Sequence, residues 1–139
     1  MQEIGIALEW FTSTLANDSQ LESLAPGGVY RSMAPPSTQP PWVIVAYQSG
    51  IDVLTMNSYR AMSNLLWQAK VVGPADMTSQ LMAAAARIDD LIGLASGTAT
   101  GGLILSCFRD SPLQLDELVN GALWLSSGGL YRLYIQKTS

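Results

Sequence analysis

The sequence predicts an α+β fold: an antiparallel-rich β-sheet with two α-helices packed on one face and a long projecting β-hairpin arm. Three observations predict it. Leu65, Trp67, Ala69 and Val71 alternate with Leu66, Gln68, Lys70 and Val72, the period of a half-buried strand. Gly73-Pro74 then stops that strand, and an apolar stripe at helical spacing follows. Near the C-terminus, Asn120-Gly121 sits between two alternating apolar runs, a strong hairpin signal.

The first helix is expected over Glu3 to Ala16, with Ile4, Leu8, Phe11 and Leu15 as the buried stripe and Trp10 beside it, at a boundary or an interface. Glu3 suits the positive end of the helix dipole. Ser19-Gln20-Leu21-Glu22 matches a capping box opening a short helical turn. Val29 to Met33 reads as a short edge strand. Ala34 to Pro41 holds four of the seven prolines and is expected as an extended surface connection. Trp42 to Ser49 is the next strand, apolar on both faces and expected to be covered on both.

Gly50 to Met62 mixes turn residues with Ile51, Val53, Leu54, Met56 and Tyr59. It reads as a hairpin arm joining strands 42–49 and 63–72. A projection with so many apolar side chains is expected to be either docked on a neighbour or mobile. The second helix is expected over Met77 to Ile92, capped by Asp76 and ended by a left-handed Gly93. Its stripe is Met77, Leu81, Ala84, Ala85, Ile88, Leu91 and Ile92. Ala95 to Gly102 reads as a loop. Leu103 to Arg109 is a strand, with Leu103, Leu105 and Cys107 set against Ile104, Ser106 and Phe108. Leu113 to Leu118 resumes alternation, Ser126 to Gly129 interrupts the return strand as a bulge or kink, and Tyr131, Leu133 and Ile135 share a face.

A chain of 139 residues is expected to form one domain, large enough for a core without disulfides or metals. Charged residues make up 13%, about half the share usual in soluble domains, which predicts surface hidden against other chains. Net charge is −4 and the seven bases are scattered, which argues against a direct grip on nucleic acid. Cys107 is the lone cysteine. Neither a signal peptide nor a membrane span is evident, so a reducing cytoplasm is the expected site of synthesis.

The chain has no histidine, which removes the commonest general base and metal ligand. Cys107 reads as a small core residue. Asp89 and Asp90 diverge by about 100° on a helix and read as a solvated face near Arg87. Asp116 and Glu117 alternate across a strand and make equally poor ligands. Gly97 to Gly102 lacks the ending of a phosphate-binding loop. No catalytic, cofactor or metal residues are assigned.

The segments Gly50-Ile51-Asp52-Val53-Leu54-Thr55-Met56-Asn57 and Leu65 to Gly73 resemble the tail-terminator (tail-completion) proteins of long-tailed bacteriophages. So do Arg87-Ile88-Asp89, Cys107-Phe108-Arg109 and Gly129 to Ile135, in the same order along the chain. The resemblance implies a structural virion protein at the tail-neck junction. It implies a hexameric ring that caps the tail tube, contacts the tube protein and the head-completion neck protein, and lets DNA pass without specific binding. Six copies at −4 each would repel the DNA backbone. The expected interface residues are Ile51, Val53, Leu54, Met56, Tyr59 and Arg60, with Trp10 and Trp124. The alternatives are another neck or tail-tube subunit and, in a different class, a small-ligand or catalytic α+β domain, which would need a pocket with convergent polar groups.

Overall fold

The computed structural model describes residues 2–54 and 60–138. Helix α1 spans Glu3–Ala16, α2 Ser19–Leu24 and α3 Thr78–Ile92. Strands are β1 (Val29–Arg31), β2 (Trp42–Leu54), β3 (Arg60–Pro74), β4 (Leu94–Ala99), β5 (Gly102–Val119) and β6 (Ala122–Lys137). They form one sheet in the order β1-β2-β3-β6-β5-β4. β1 runs parallel to β2; every other neighbouring pair is antiparallel.

The core lies between the helices and one face of this sheet. Leu65, Trp67, Ala69 and Val71 of β3 pair across to Leu133, Tyr131, Gly129 and Ser127 of β6, and all point at the helices. Val43 and Val45 extend that face on β2, and Ile104 and Cys107 on β5. α3 contributes Leu81, Ala84, Ile88 and Ile92. The opposite face holds Trp42, Ile44, Leu66, Val72 and Leu130, none of which belongs to the core cluster. Ile44 is only 4% exposed there, whereas Trp42 and Ala46 are half-buried, so the expected cover on both faces of β2 is met by a helix layer on one side alone.

Several local expectations are corrected. In α1 the buried stripe is Ile6, Ala7, Trp10, Phe11 and Leu15; Ile4 is 41% exposed. The first turns are apolar nearly all round, so periodicity left the facing side open by about one residue. The short helix is capped by Asp18, whose carboxylate accepts the Leu21 N–H at 2.8 Å, one residue before the expected Ser19. Asp76 lies in a 3-10 turn, Ala75–Met77, and caps nothing. Gly93 has a right-handed φ of −69°, and Leu94 enters β4 at once. The expected loop from Ala95 is therefore mostly strand.

Two corrections concern strand faces. β5 carries an irregularity between Ile104 and Ser106, which shifts the alternation so that Ile104 and Cys107 share the helix face. Ser126 to Gly129 makes no bulge: it pairs in unbroken register with β3. Its small residues serve close approach. A Cβ on Gly128 would collide with the Ala69 carbonyl and come within 2.6 Å of Lys70 Cα.

Asp18 also joins the helices to one another. Arg87 of α3 grips it with two hydrogen bonds, Nε to Oδ2 at 2.9 Å and the terminal nitrogen to Oδ1 at 2.7 Å. Arg87 thus serves Asp18 and not the Asp89-Asp90 pair. Gln80 adds a second tie, donating to the Leu24 carbonyl at 2.7 Å. The Arg87 guanidinium and, more weakly, the Leu21 N–H hold the Asp18 carboxyl down at about 2, against the opposing effect of its partial burial.

Two predictions follow from this packing. Gly128→Ala should destabilise the fold by roughly 1–3 kcal/mol, read as a lowered melting temperature, because the added methyl has no space. A carboxylate whose pKa is depressed on folding stabilises the protein above its unfolded value and loses that contribution as pH falls through the folded one. Stability should therefore drop between about pH 4 and about pH 2, and Asp18→Asn should be weaker at neutral pH and flatter across that window in denaturant titrations.

Candidate assembly surface

Of the sequence-predicted contact residues, Ile51, Val53, Leu54 and Arg60 lie on the outer part of β2 and β3. β2 and β3 pair from Trp42↔Val72 to Leu54↔Arg60, with register shifts between Tyr47 and Ser49 and between Val53 and Leu54. Both strands therefore run further out than the expected 42–49 and 63–72. Ile51 is 68% exposed and Leu54 60%, an unusual state for large aliphatic side chains with a core within reach of the same strand. Val53 is half-buried. Met56 and Tyr59 lie outside the described residues.

Arg60 has work inside the chain. It bridges Glu3 at 3.0 Å and Asp52 at 3.6 Å, and Glu3 is nearly buried. Asp52 also accepts from Ser63 at 2.7 Å. The first turn of α1 is thereby fastened to the hairpin base, and Arg60 holds the hairpin's direction.

Trp10 is placed in the chain's own core, not at the surface. It is 8% exposed and meets Phe11 edge to face at 5.1 Å. Trp124 is half-buried on the uncovered sheet face, with its ring 5.5 Å from that of Trp42. The two indoles close the lower end of that face. Its upper end carries a polar network across three strands. Arg132 donates to Asn64 at 3.0 Å and Asp110 at 3.4 Å, Asn64 donates to Tyr134 at 3.2 Å, and Phe108 stacks on Tyr134 at 6.4 Å.

Sequence reasoning missed a second apolar projection. The β5–β6 hairpin turns at Asn120-Gly121, both at positive φ, as its dipeptide predicts. Around that turn Leu115, Leu118, Val119 and Leu123 are exposed, Leu118 by 73%. The signal was legible: aliphatic residues flank the turn on both strands, where a hairpin lying on a core would show one polar face.

The polar candidates find ordinary roles. Asp89 accepts from the Tyr131 hydroxyl at 3.0 Å and faces Arg109 at 3.9 Å. Burial, then that hydrogen bond to Asp89, pushes the Tyr131 phenol upward. Asp116 and Glu117 are exposed on β5. Among the described residues, no group of three or more His, Cys, Asp or Glu side chains is placed to hold a metal ion, and no helix is long and apolar enough to cross a membrane. Cys107 is 1% exposed, and burial pushes its thiol up to about 12.

No protein-family model matches the chain, and no curated protein does. Among solved structures the fold is similar to a chain in the virion of a native gene transfer agent particle, with a TM-score of 0.65. The likeness covers 94% of this chain and 97% of that one at 14% identity. The two share a fold from end to end, with little sequence left in common.

A buried, protonated thiol is inert. Cys107 should resist a thiol reagent such as dithionitrobenzoate near pH 8 in the native protein and react fully in denaturant; rapid native labelling would show that the strand opens.

Proposed function

We propose that this chain is a structural virion subunit that assembles into a ring capping a phage-like tail tube, as the tail terminators it resembles do. The observation that carries the reading is the end-to-end fold likeness to a virion component. Two features agree with it. Both long hairpins carry exposed aliphatic side chains, and the sheet has one face free of helices. A subunit meant to remain alone would bury or charge such surfaces.

In this reading the ring is a hexamer that meets the tube protein on one side and a head-completion protein on the other. DNA crosses the central hole without a specific grip. The excess of acids over bases keeps the phosphate backbone off the wall. The protein performs no chemistry. Its one thiol is buried, and among the described residues the grooves beside α3 and beside the β2 edge gather no set of convergent acid, base and nucleophile.

A second reading, a tail-tube subunit, rests on the same likeness and differs in outcome. Tube subunits stack without limit, whereas a terminator adds one layer and stops. Electron microscopy of the purified protein mixed with tail tubes separates them: single rings at tube ends support the terminator, long stacks support the tube subunit, and a monomer that never reaches a tube end overturns both.

Exposed apolar residues at a hairpin top can be changed without touching the core. Ile51→Asp with Leu54→Asp should keep the circular dichroism spectrum and melting temperature of the parent while abolishing ring formation at tube ends. A collapse of the spectrum would place these side chains in the subunit's own packing.

A further inference from the structure

Two stretches of strand on opposite borders of the sheet have no partner among the described residues. β1 pairs with β2 only from Val43 to Val45, and the Ser32 N–H adds one last bond to the Val45 carbonyl. Residues 46–54 of β2 are open beyond that point. On the other border β4 pairs with β5 only between Gly102 and Phe108, so residues 109–119 are open. Natural sheets keep such edges short or covered, because unpaired N–H and C=O groups invite another strand.

The two edges are complementary in direction. Following the antiparallel pairs from β2 through β3 and β6 to β5, β5 runs opposite to β2. A second copy set beside the first, with the same face toward its helices, brings its β2 against β5 in antiparallel sense. Pro112 stands opposite Gly129 in the β5–β6 ladder. A proline is tolerated in a strand where its missing N–H would face the open side. By alternation, Gln114 and Asp116 direct their backbone groups outward as well.

Each edge adjoins a groove for side chains. The β5 edge and α3 enclose about 550 Å³ between Met82, Ala86, Asp89, Arg109 and Gln114. The β2 edge opens on about 350 Å³ between Ile4, Tyr47, Ile51 and Arg60. Charge opposes self-pairing of the β5 edge, since Asp110, Asp116 and Glu117 would meet their own copies.

We propose that copies of this chain join head to tail, the open half of β5 in one copy pairing antiparallel with the open half of β2 in the next. This deepens the ring reading and rests on it. The occupant of each edge is a second copy of the same chain. The contact is heterologous, so it gives a ring where its rotation closes and an open filament where it does not; the ring reading requires closure. The open halves lie at opposite ends of the sheet, because β1 covers the start of β2 and β4 covers the start of β5. Successive copies are therefore displaced along the strands. A sheet staggered in this way closes only when its strands tilt against the ring axis.

Disulfide trapping with two proteins, each carrying one introduced surface cysteine besides the buried Cys107, tests the contact. Ser49 on β2 and Leu113, Leu115 and Glu117 on β5 all lie on the helix-free face. Ser49→Cys protein is mixed with Leu113→Cys, Leu115→Cys or Glu117→Cys protein, alone and on tail tubes, then oxidised. One of the three mixtures should give a covalent heterodimer that neither protein gives by itself. The matching double variant should give a ladder of bands ending at the ring size. Disulfides only between copies of one variant, or rings in the microscope with no cross-link in any mixture, overturn the edge pairing and leave the ring standing. Cross-linked chains that lengthen without closing uphold the pairing and overturn the ring. Neither rings nor cross-links on tubes overturns both.

Discussion

The structure depends on burial of one face of the sheet, and that burial centres on Trp67. Its ring lies 5.3 Å from Phe11 of α1 and 5.4 Å from Tyr47 of β2, and it pairs across the ladder with Tyr131 of β6. One side chain thus links a helix and three strands. Its indole N–H finds no acceptor among the described residues, and the ring is held by apolar contact and edge-to-face packing.

The one-sided helix layer has consequences for the rest of the molecule. Three helices are narrower than a six-stranded sheet whose long strands run to 18 residues. Among the described residues they cover its middle and leave the outer parts of β2, β5 and β6 and the second face without a helix layer. The Asp18–Arg87 and Glu3–Arg60 pairs stiffen this arrangement, the first locking α2 to α3 and the second fixing α1 to the base of the β2–β3 hairpin. A rigid body with unfinished borders is what a subunit needs when its neighbours complete it. The proposed function rests on the fold likeness, and this incompleteness agrees with it.

Legibility followed the range of the forces. The Leu65-to-Val71 face, the α3 stripe and the Asn120-Gly121 turn were plain in the sequence because each is set by residues a few positions apart. The facing side of α1 was not, since Ile4, Ile6, Ala7 and Leu8 supply apolar surface in several directions. Nor were the faces of β5, because the extra residue at Leu105 becomes a bulge only against a β6 that skips it. Of the candidate assembly surface, Ile51 and Leu54 were readable as apolar residues among turn formers. Trp10 was misplaced because an aromatic at a stripe's border is equally suited to core and contact. The lower hairpin was missed because its leucines were read only for their strand alternation, although aliphatic residues on both sides of the turn already marked it.

By itself the sequence determined the periods, the breaks, the hairpin turn and the absence of histidine chemistry, all local or compositional properties. Only the tertiary structure decided which strands lie at the borders and how far their neighbours reach. Strand order is set by contacts between residues far apart in the chain, where β1 ends on β2 and β4 on β5. No local spacing records where those partners stop, and the open backbone beyond them is the surface on which the proposed assembly rests.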